Sequence, residues 1–321
     1  VNLDERLDYF EEHYDIIAGH HLGSGPKVYV GSSQKVCRFC GKSEPDVTFR
    51  TVAHAVPEFL GNKQLVLRNE CDVCNTFVSN NLENHLDKYT KPFRLAAQIK
   101  GKKKVPNYRT NDKRSRFEFD VAAGAKVIDP VDSGFSLLDV ESKELTANFH
   151  LEPYIPTAVY KCLVKIALSV IEEEELIAFK STVAWIMDPN HSFAIINPQI
   201  LLSAFVPGPR PNRLMTVLVL RRKAELNVVP YCLCVVAFGN LSYQIIVPSD
   251  IDISAGSSTV KLIRFPIPFE SDWEFGSPRF SQADLTSNEV VKGAMLPITF
   301  TFDEAQKLDP STVHLEASKQ S

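Results

Sequence analysis

Leu3, Leu7, Phe10, Tyr14 and Ile17 recur every three or four residues, the spacing that lines one face of an α-helix. Asn2, with Glu5 three residues on, forms a capping-box signature, so an amphipathic helix is expected to open the chain as a packing or self-association element. A Gly-Ser-Gly-Pro break at 23–26 precedes a short strand, KVYV, at 27–30. A second helical pattern, NTFVSNNLENHLDKY at 75–89, turns Phe77, Val78, Leu82 and Leu86 inward and closes a small strand–strand–helix unit near residue 95. The strongest helical signal lies at 156–171. There Val159, Cys162, Leu163, Ile166, Ala167 and Val170 fall at i, i+3, i+4, i+7, i+8 and i+11 behind a proline. Another helix is expected over 173–186, with glutamates 172–175 as a solvated start favoured by the helix dipole. Elsewhere strands dominate: RFEFDVA (116–122), SFAIIN (192–197), ILLSAFV (200–206), LMTVLVLRRK (214–223), YCLCVVAFG (231–239), LSYQIIVP (241–248) and VKLIRFPI (260–267). Asp250 and Asp252 read as a turn after a strand, His20 and His21 as loop residues without a role, and 307–321 as a polar, frayed end.

The 321 residues, 44% hydrophobic and 23% charged, suffice for two cores. No run of eighteen apolar residues and no basic-then-apolar leader is present, which predicts neither a membrane span nor a secretion signal, and a cytoplasmic protein. Net charge is only −4, yet residues 91–116 hold ten Lys or Arg against one Asp. Such a basic stripe on an acidic protein suits a surface that meets phosphates; a solvated linker is the alternative. Its candidate contacts are Arg94, Lys100, Lys102, Lys103, Lys104 and Arg109.

Four of the seven cysteines form two Cys-x-x-Cys pairs, Cys37/Cys40 and Cys71/Cys74, thirty residues apart. Each pair lets both sulfurs face one ion, so together they can close a tetrahedral zinc site. Disulfides or free thiols are the alternatives. A zinc with four thiolates is a staple that cannot activate water, so any chemistry must come from the segment it holds. Cys162, Cys232 and Cys234 stand in apolar surroundings and read as buried thiols.

The stapled segment is VAHAVPEFLGN (52–62), with His54, Pro57 and Gly61, followed by Asn69 and by Asn75 directly after Cys74. The order of zinc knuckle, His-x-x-Pro, Asn and Cys-x-x-Cys-Asn resembles the HNH endonuclease family in its four-cysteine form, over roughly residues 35–95. In wording it is similar to the nuclease half of bacterial antiphage HNH effectors. The resemblance implies a ββα-metal unit with a structural zinc within residues 1–116; the helix and strand patterns beyond it add a larger mixed helix and antiparallel-sheet domain at 117–321, so an α+β protein is expected. The resemblance also implies DNA phosphodiester hydrolysis with His54 as general base, Asn69 bracing its loop, and Asn75 as a ligand to a catalytic Mg2+ or Mn2+. The basic residues would grip DNA through its phosphates. Many family members carry an acidic or histidine ligand just before the base; here Ala53 stands there, leaving the place to water or to Glu83 or His85. By the same resemblance the C-terminal domain senses a trigger, either a nucleotide messenger or a protein partner such as a short Argonaute, and a homo-oligomer fits the scheme. A zinc-stapled nucleic-acid-binding protein that does not cut is the second reading.

Overall fold

In a computed structural model of the chain, the N-terminal capping box closes: Glu5 N donates to Asn2 Oδ1 at 2.8 Å and Asn2 N to Glu5 Oε2 at 3.0 Å. Helix α1 (Leu3–His13) stops earlier than its periodicity suggests. Tyr14–Leu22 forms strand β1 instead, pairing antiparallel with a long strand near residue 220, so His20 and His21 lie in a sheet and not in a loop. Tyr14 and Ile17, three apart, satisfy a helical period but not strict two-residue alternation; pairing with the partner strand overrides the pattern, with a register shift between Ile16 and Ala18. The structure describes residues 2–101, 105–120, 124–130, 133–209, 212–223, 229–255, 262–270 and 274–306. The expected frayed end at 307–321 lies outside these.

After β2 (Val28–Val30) come β3 (Ala53–His54), β4 (Leu65–Leu67) and α2 (Asp72–Val78), which runs through a π-helical turn (Ser79–Glu83) into α3 (Asn84–Ala96). Residues 107–150 hold β5 (Tyr108–Arg109), β6 (Arg116–Asp120), β7 (Gly124–Ile128), β8 (Ser136–Asp139) and β9 (Glu144–His150). Helix α4 (Pro156–Val170), a 3-10 segment (Glu173–Phe179) and α5 (Lys180–Ile186) lead into β10 (Ile200–Phe205), β11 (Asn212–Arg222), β12 (Cys232–Gly239) and β13 (Leu241–Ile246). A short α6 (Asp250–Ala255), β14 (Arg279–Asp284) and β15 (Met295–Thr301) complete the described elements.

Contacts divide the chain into two units, Val1–Pro106 with Leu151–Gly293, and Asn107–His150 with Ala294–Ser321. The boundary expected at 116/117 would cut the β5–β6 hairpin, where Tyr108 pairs with Phe117. The second unit is two three-stranded antiparallel sheets, β5-β6-β7 and β15-β9-β8, around Tyr108, Phe117, Phe135, Phe149 and Phe300. It is completed only when the chain returns, which local periodicity does not show.

The first unit is built on a six-stranded antiparallel sheet, β1-β11-β12-β13-β10-β14. Phe10 and Tyr14 pack on one face with Leu220, Leu233 and Val235. On the other face Val217, Val219, Cys232, Cys234 and Val236 join α4 in one core, which continues through Leu82 and Leu86 to the cysteine-bearing segment. Cys162, Cys232 and Cys234 are buried thiols, as expected. Every residue of α4 is buried, its polar face included. No strand forms at 192–197 or at 262–267. At 262–267 the Gln244 side chain does a partner strand's work, accepting from Phe265 N at 2.7 Å and donating to Ile263 O at 2.8 Å. Asp250 and Asp252 lie in α6, where Asp252 accepts from Tyr231 N and Arg222. No helix among the described residues is long and apolar enough to cross a membrane.

Candidate active site

The first knuckle closes through Gly41 N donating to Cys37 O and Cys37 N to Lys42 O, both at 2.8 Å. Gly41 takes φ +69°, a region open to glycine without a Cβ clash. Cys71 caps α2 and Cys74 sits in its first turn. The four sulfurs lie within 4.8 Å of one another, Cys40 and Cys71 at 3.8 Å. Zinc–sulfur bonds of about 2.3 Å at tetrahedral angles place sulfurs about 3.8 Å apart, so the spacing fits zinc. The donor chemistry fits too. Hydrogen bonding from the Cys74 thiol pulls Cys37 down to about 4, the same bond pushes Cys74 up, and burial pushes Cys71 up to about 11. A dication lets all four be thiolates together. The four cysteines fit a structural zinc site, in which four thiolates would leave no position open for a substrate.

Between the knuckles, β3 and β4 pair with Ala53 opposite Leu67 and His54 opposite Val66. Two side chains that the sequence reading missed shape this hairpin-like loop. Asn62, fully buried, donates to Val56 O (2.7 Å) and Leu65 O (3.0 Å) and accepts from Gln64 N (3.0 Å) and Leu65 N (2.8 Å). It follows Gly61, whose φ of +104° makes the turn. Asp72, at the first position of α2, gathers Thr48 Oγ1, Arg50 N and Thr51 N onto its carboxylate, and these donors, Thr48 first, hold its pKa below the usual range. The Asn after a Gly and the Asp inside Cys-Asp-Val-Cys were the available signals. Asn69, expected to brace the loop, instead donates to Glu173 Oε1 at 2.8 Å. Bracing the loop falls to Asn62.

His54 is half-buried at the end of β3. Its Nδ1 is enclosed and has no partner among the described residues, while Nε2, the reachable nitrogen, lies 4.0 Å from Glu58 Oε2. Burial lowers its pKa from the ordinary 6.5; Glu58 opposes this, and Lys27, Lys165 and Lys63 reinforce it. The ring is therefore neutral near pH 7, the form that accepts a proton. Below it Lys165 of α4 donates to His54 O at 3.2 Å and pairs with the buried Glu70 at 2.9 Å.

Asn75 is half-buried in the first turns of α2, and its side-chain amide makes no hydrogen bond among the described residues. Glu83, on the π-helical turn, has its carboxyl pushed up by burial; Lys165 opposes this, and the like charges of Glu70 and Glu58 add to it. His85 Nδ1 already accepts Ile155 N at 3.0 Å, which commits that ring to the start of α4. The glutamates at 172–175 are not simply solvated: Glu173 accepts from Arg38 (3.0 Å) and Asn69, and Glu175 pairs with Arg221.

The basic stripe divides. Lys100 is exposed in the first unit and Arg109 is exposed on β5 in the second, while Lys102, Lys103 and Lys104 lie outside the described residues. Arg94 corrects the expectation of a DNA contact: it is 3% exposed, pairs with Asp87, donates to Thr90 Oγ1 at 3.1 Å and lies over the Phe59 ring at 4.8 Å. A guanidinium so committed cannot reach a phosphate. Arg94→Met is expected to cost about 2 kcal/mol in denaturant unfolding, from lost charged hydrogen bonds and packing, and to leave DNA affinity unchanged in a filter-binding titration.

A knuckle, strand, loop, strand and helix are thus gathered around four cysteines placed to hold one zinc and around one reachable imidazole. Residues 37–91, from the first knuckle to the middle of α3, match the family described as HNH endonuclease. No curated protein and no solved structure matches the chain.

Proposed function

We propose that this protein is a metal-dependent endonuclease that hydrolyses DNA phosphodiester bonds, with His54 as its general base. The observation that carries the reading is His54 itself: within the HNH-matched segment it stands on a strand end fixed by Asn62, neutral, with Nε2 reachable. Nε2 takes the proton of the attacking water, and Glu58 at 4.0 Å stabilises the imidazolium that forms. The uncommitted amide of Asn75 suits a hard cation, and Glu83, whose carboxyl is pushed up chiefly by burial and further by the charges of Glu70 and Glu58, is a second candidate ligand on the following turn. Ala53 offers no ligand, so a bound cation would take water or Glu83 in its place. A Mg2+ or Mn2+ held there supplies charge neutralisation on the phosphate. Lys100 and, in the other unit, Arg109 are each exposed candidates for phosphate contacts that carry no sequence preference.

Resemblance to antiphage HNH effectors supports the rest of the reading: a cytoplasmic defence protein whose cut is gated by the region beyond the nuclease segment, through a nucleotide messenger, a protein partner such as a short Argonaute, or self-association. The direct test incubates the purified protein with supercoiled plasmid and Mg2+ or Mn2+, with and without chelator. Nicking that the chelator stops supports the reading. DNA binding without nicking, across both ions and with candidate messengers added, would identify a binder that does not cut.

The pH profile gives a second check. The active base is the unprotonated ring, and the fold lowers its pKa, so the active form persists below the ordinary histidine value of 6.5. The acid limb of kcat/KM is expected to have its midpoint below 6.5. A midpoint above it would contradict the assignment.

A further inference from the structure

We propose that Lys165, which lies outside the family-matched segment, is a positioning residue for His54, holding the strand end that carries the imidazole from the buried helix α4. This deepens the endonuclease reading and rests on it. The ammonium is 1% exposed at the centre of a helix all of whose residues are buried. A cation there costs several kcal/mol unless it is fully partnered, so its partners reveal what it is for. They all belong to the nuclease segment. Nζ donates to the main-chain oxygen of His54 (3.2 Å), pairs with Glu70 (2.9 Å), the residue before Cys71, and sits 5.6 Å from the ring centre of Phe39, between Cys37 and Cys40. One charge thus touches both sides of the zinc staple and the base.

Glu70 is itself fully buried, and outside this pair its carboxylate has no hydrogen-bond partner among the described residues. The pair is therefore not a general feature of the core but a joint between α4 and the staple. Arg38, from the same knuckle, makes a parallel joint one turn on, donating to Ser169 O (2.8 Å) and Ile171 O (3.0 Å) at the end of α4. Arg38 fixes the knuckle against α4. Of the two, Lys165 is the one that reaches residue 54.

Lys161, four residues earlier on α4, is an internal control. It is as deeply buried, yet its partners are Asp188 O (3.1 Å), the Asp188 carboxylate and the Trp185 ring, none of them in the nuclease segment.

Lys165→Met alone would strand the Glu70 charge, so the test variant is Lys165→Met/Glu70→Met, which replaces the pair by apolar side chains of similar length and tends to preserve stability. The expected result is a fall in kcat of about 100-fold, the usual effect of a misplacement near 1 Å, with plasmid KM and the zinc content per chain unchanged. Amide exchange at residues 53–56 should quicken by about tenfold or more while α4 stays protected. Lys161→Met should alter neither kcat nor that exchange. Unchanged kcat and exchange in the double variant, an equal loss in Lys161→Met, or loss of zinc with the pair would each overturn the proposal. Failure of the wild-type protein to cut under any condition would instead sink the endonuclease reading, and exchange at 53–56, which needs no cleavage, would still decide whether Lys165 positions residue 54.

Discussion

His54→Ala is expected to lower metal-dependent plasmid cleavage by at least about 100- to 10,000-fold, the range of a general base's contribution, while leaving fold, zinc content and DNA affinity intact. The separation follows from what holds the loop. Its hydrogen bonds come from Asn62 and Asp72 and from Lys165 to the main-chain oxygen of residue 54, and alanine keeps that oxygen. The imidazole makes no hydrogen bond among the described residues, so its loss breaks none of the bonds that hold the loop. Circular dichroism, zinc per chain and a DNA-binding isotherm should overlay those of the wild type. Cleavage within tenfold of wild type would remove His54 from the chemistry. Glu58→Gln should fall between the two, because it removes a charge 4.0 Å from Nε2 but leaves the base in place.

The zinc staple was legible because its information is local: two pairs at fixed spacing bend back on themselves whatever surrounds them. The helix at 156–170 was legible in position but not in environment. Its apolar spacing marks one buried face, while the burial of Lys161 and Lys165 depends on Glu70, Asp188 and the sheet, all distant in sequence. Asn69 and Asn62 differ in the same way. Both are buried, and only the fold shows that Glu173 claims the first while the turn after Gly61 uses the second. Arg94 sat within a basic run and was grouped with its neighbours, although its place on α3, facing Thr90 and Phe59, turns it inward. The second unit stayed hidden because β9 is completed by β15 across more than 140 residues, a pairing that no local pattern contains.

Removal of the zinc is expected to abolish cleavage and to unfold the nuclease segment, in a way that added Mg2+ does not reverse. Cys37, Cys71 and Cys74 are at most 3% exposed and belong to the same core as Val78, Leu82, Leu86 and α4. Without an ion, the low pKa of Cys37 and the raised values of Cys71 and Cys74 describe one thiolate surrounded by thiols, a poor substitute for four bonds to a dication. Structural zinc contributes about 10–16 kcal/mol in small zinc-stapled peptides, as much as the whole stability of an ordinary domain, about 5–15 kcal/mol. The loss therefore cannot stay local. Cys74→Ser should give zinc-poor protein with a lower unfolding temperature and no nicking, even though Ser leaves His54 and Asn75 in the sequence. Dialysis against a strong zinc chelator should do the same to the wild type, and one equivalent of Zn2+, followed by Mg2+, should restore both the far-ultraviolet spectrum and cleavage. A zinc-free protein that keeps its spectrum and still nicks plasmid would show that the core alone positions the base and that the four thiols are dispensable to it.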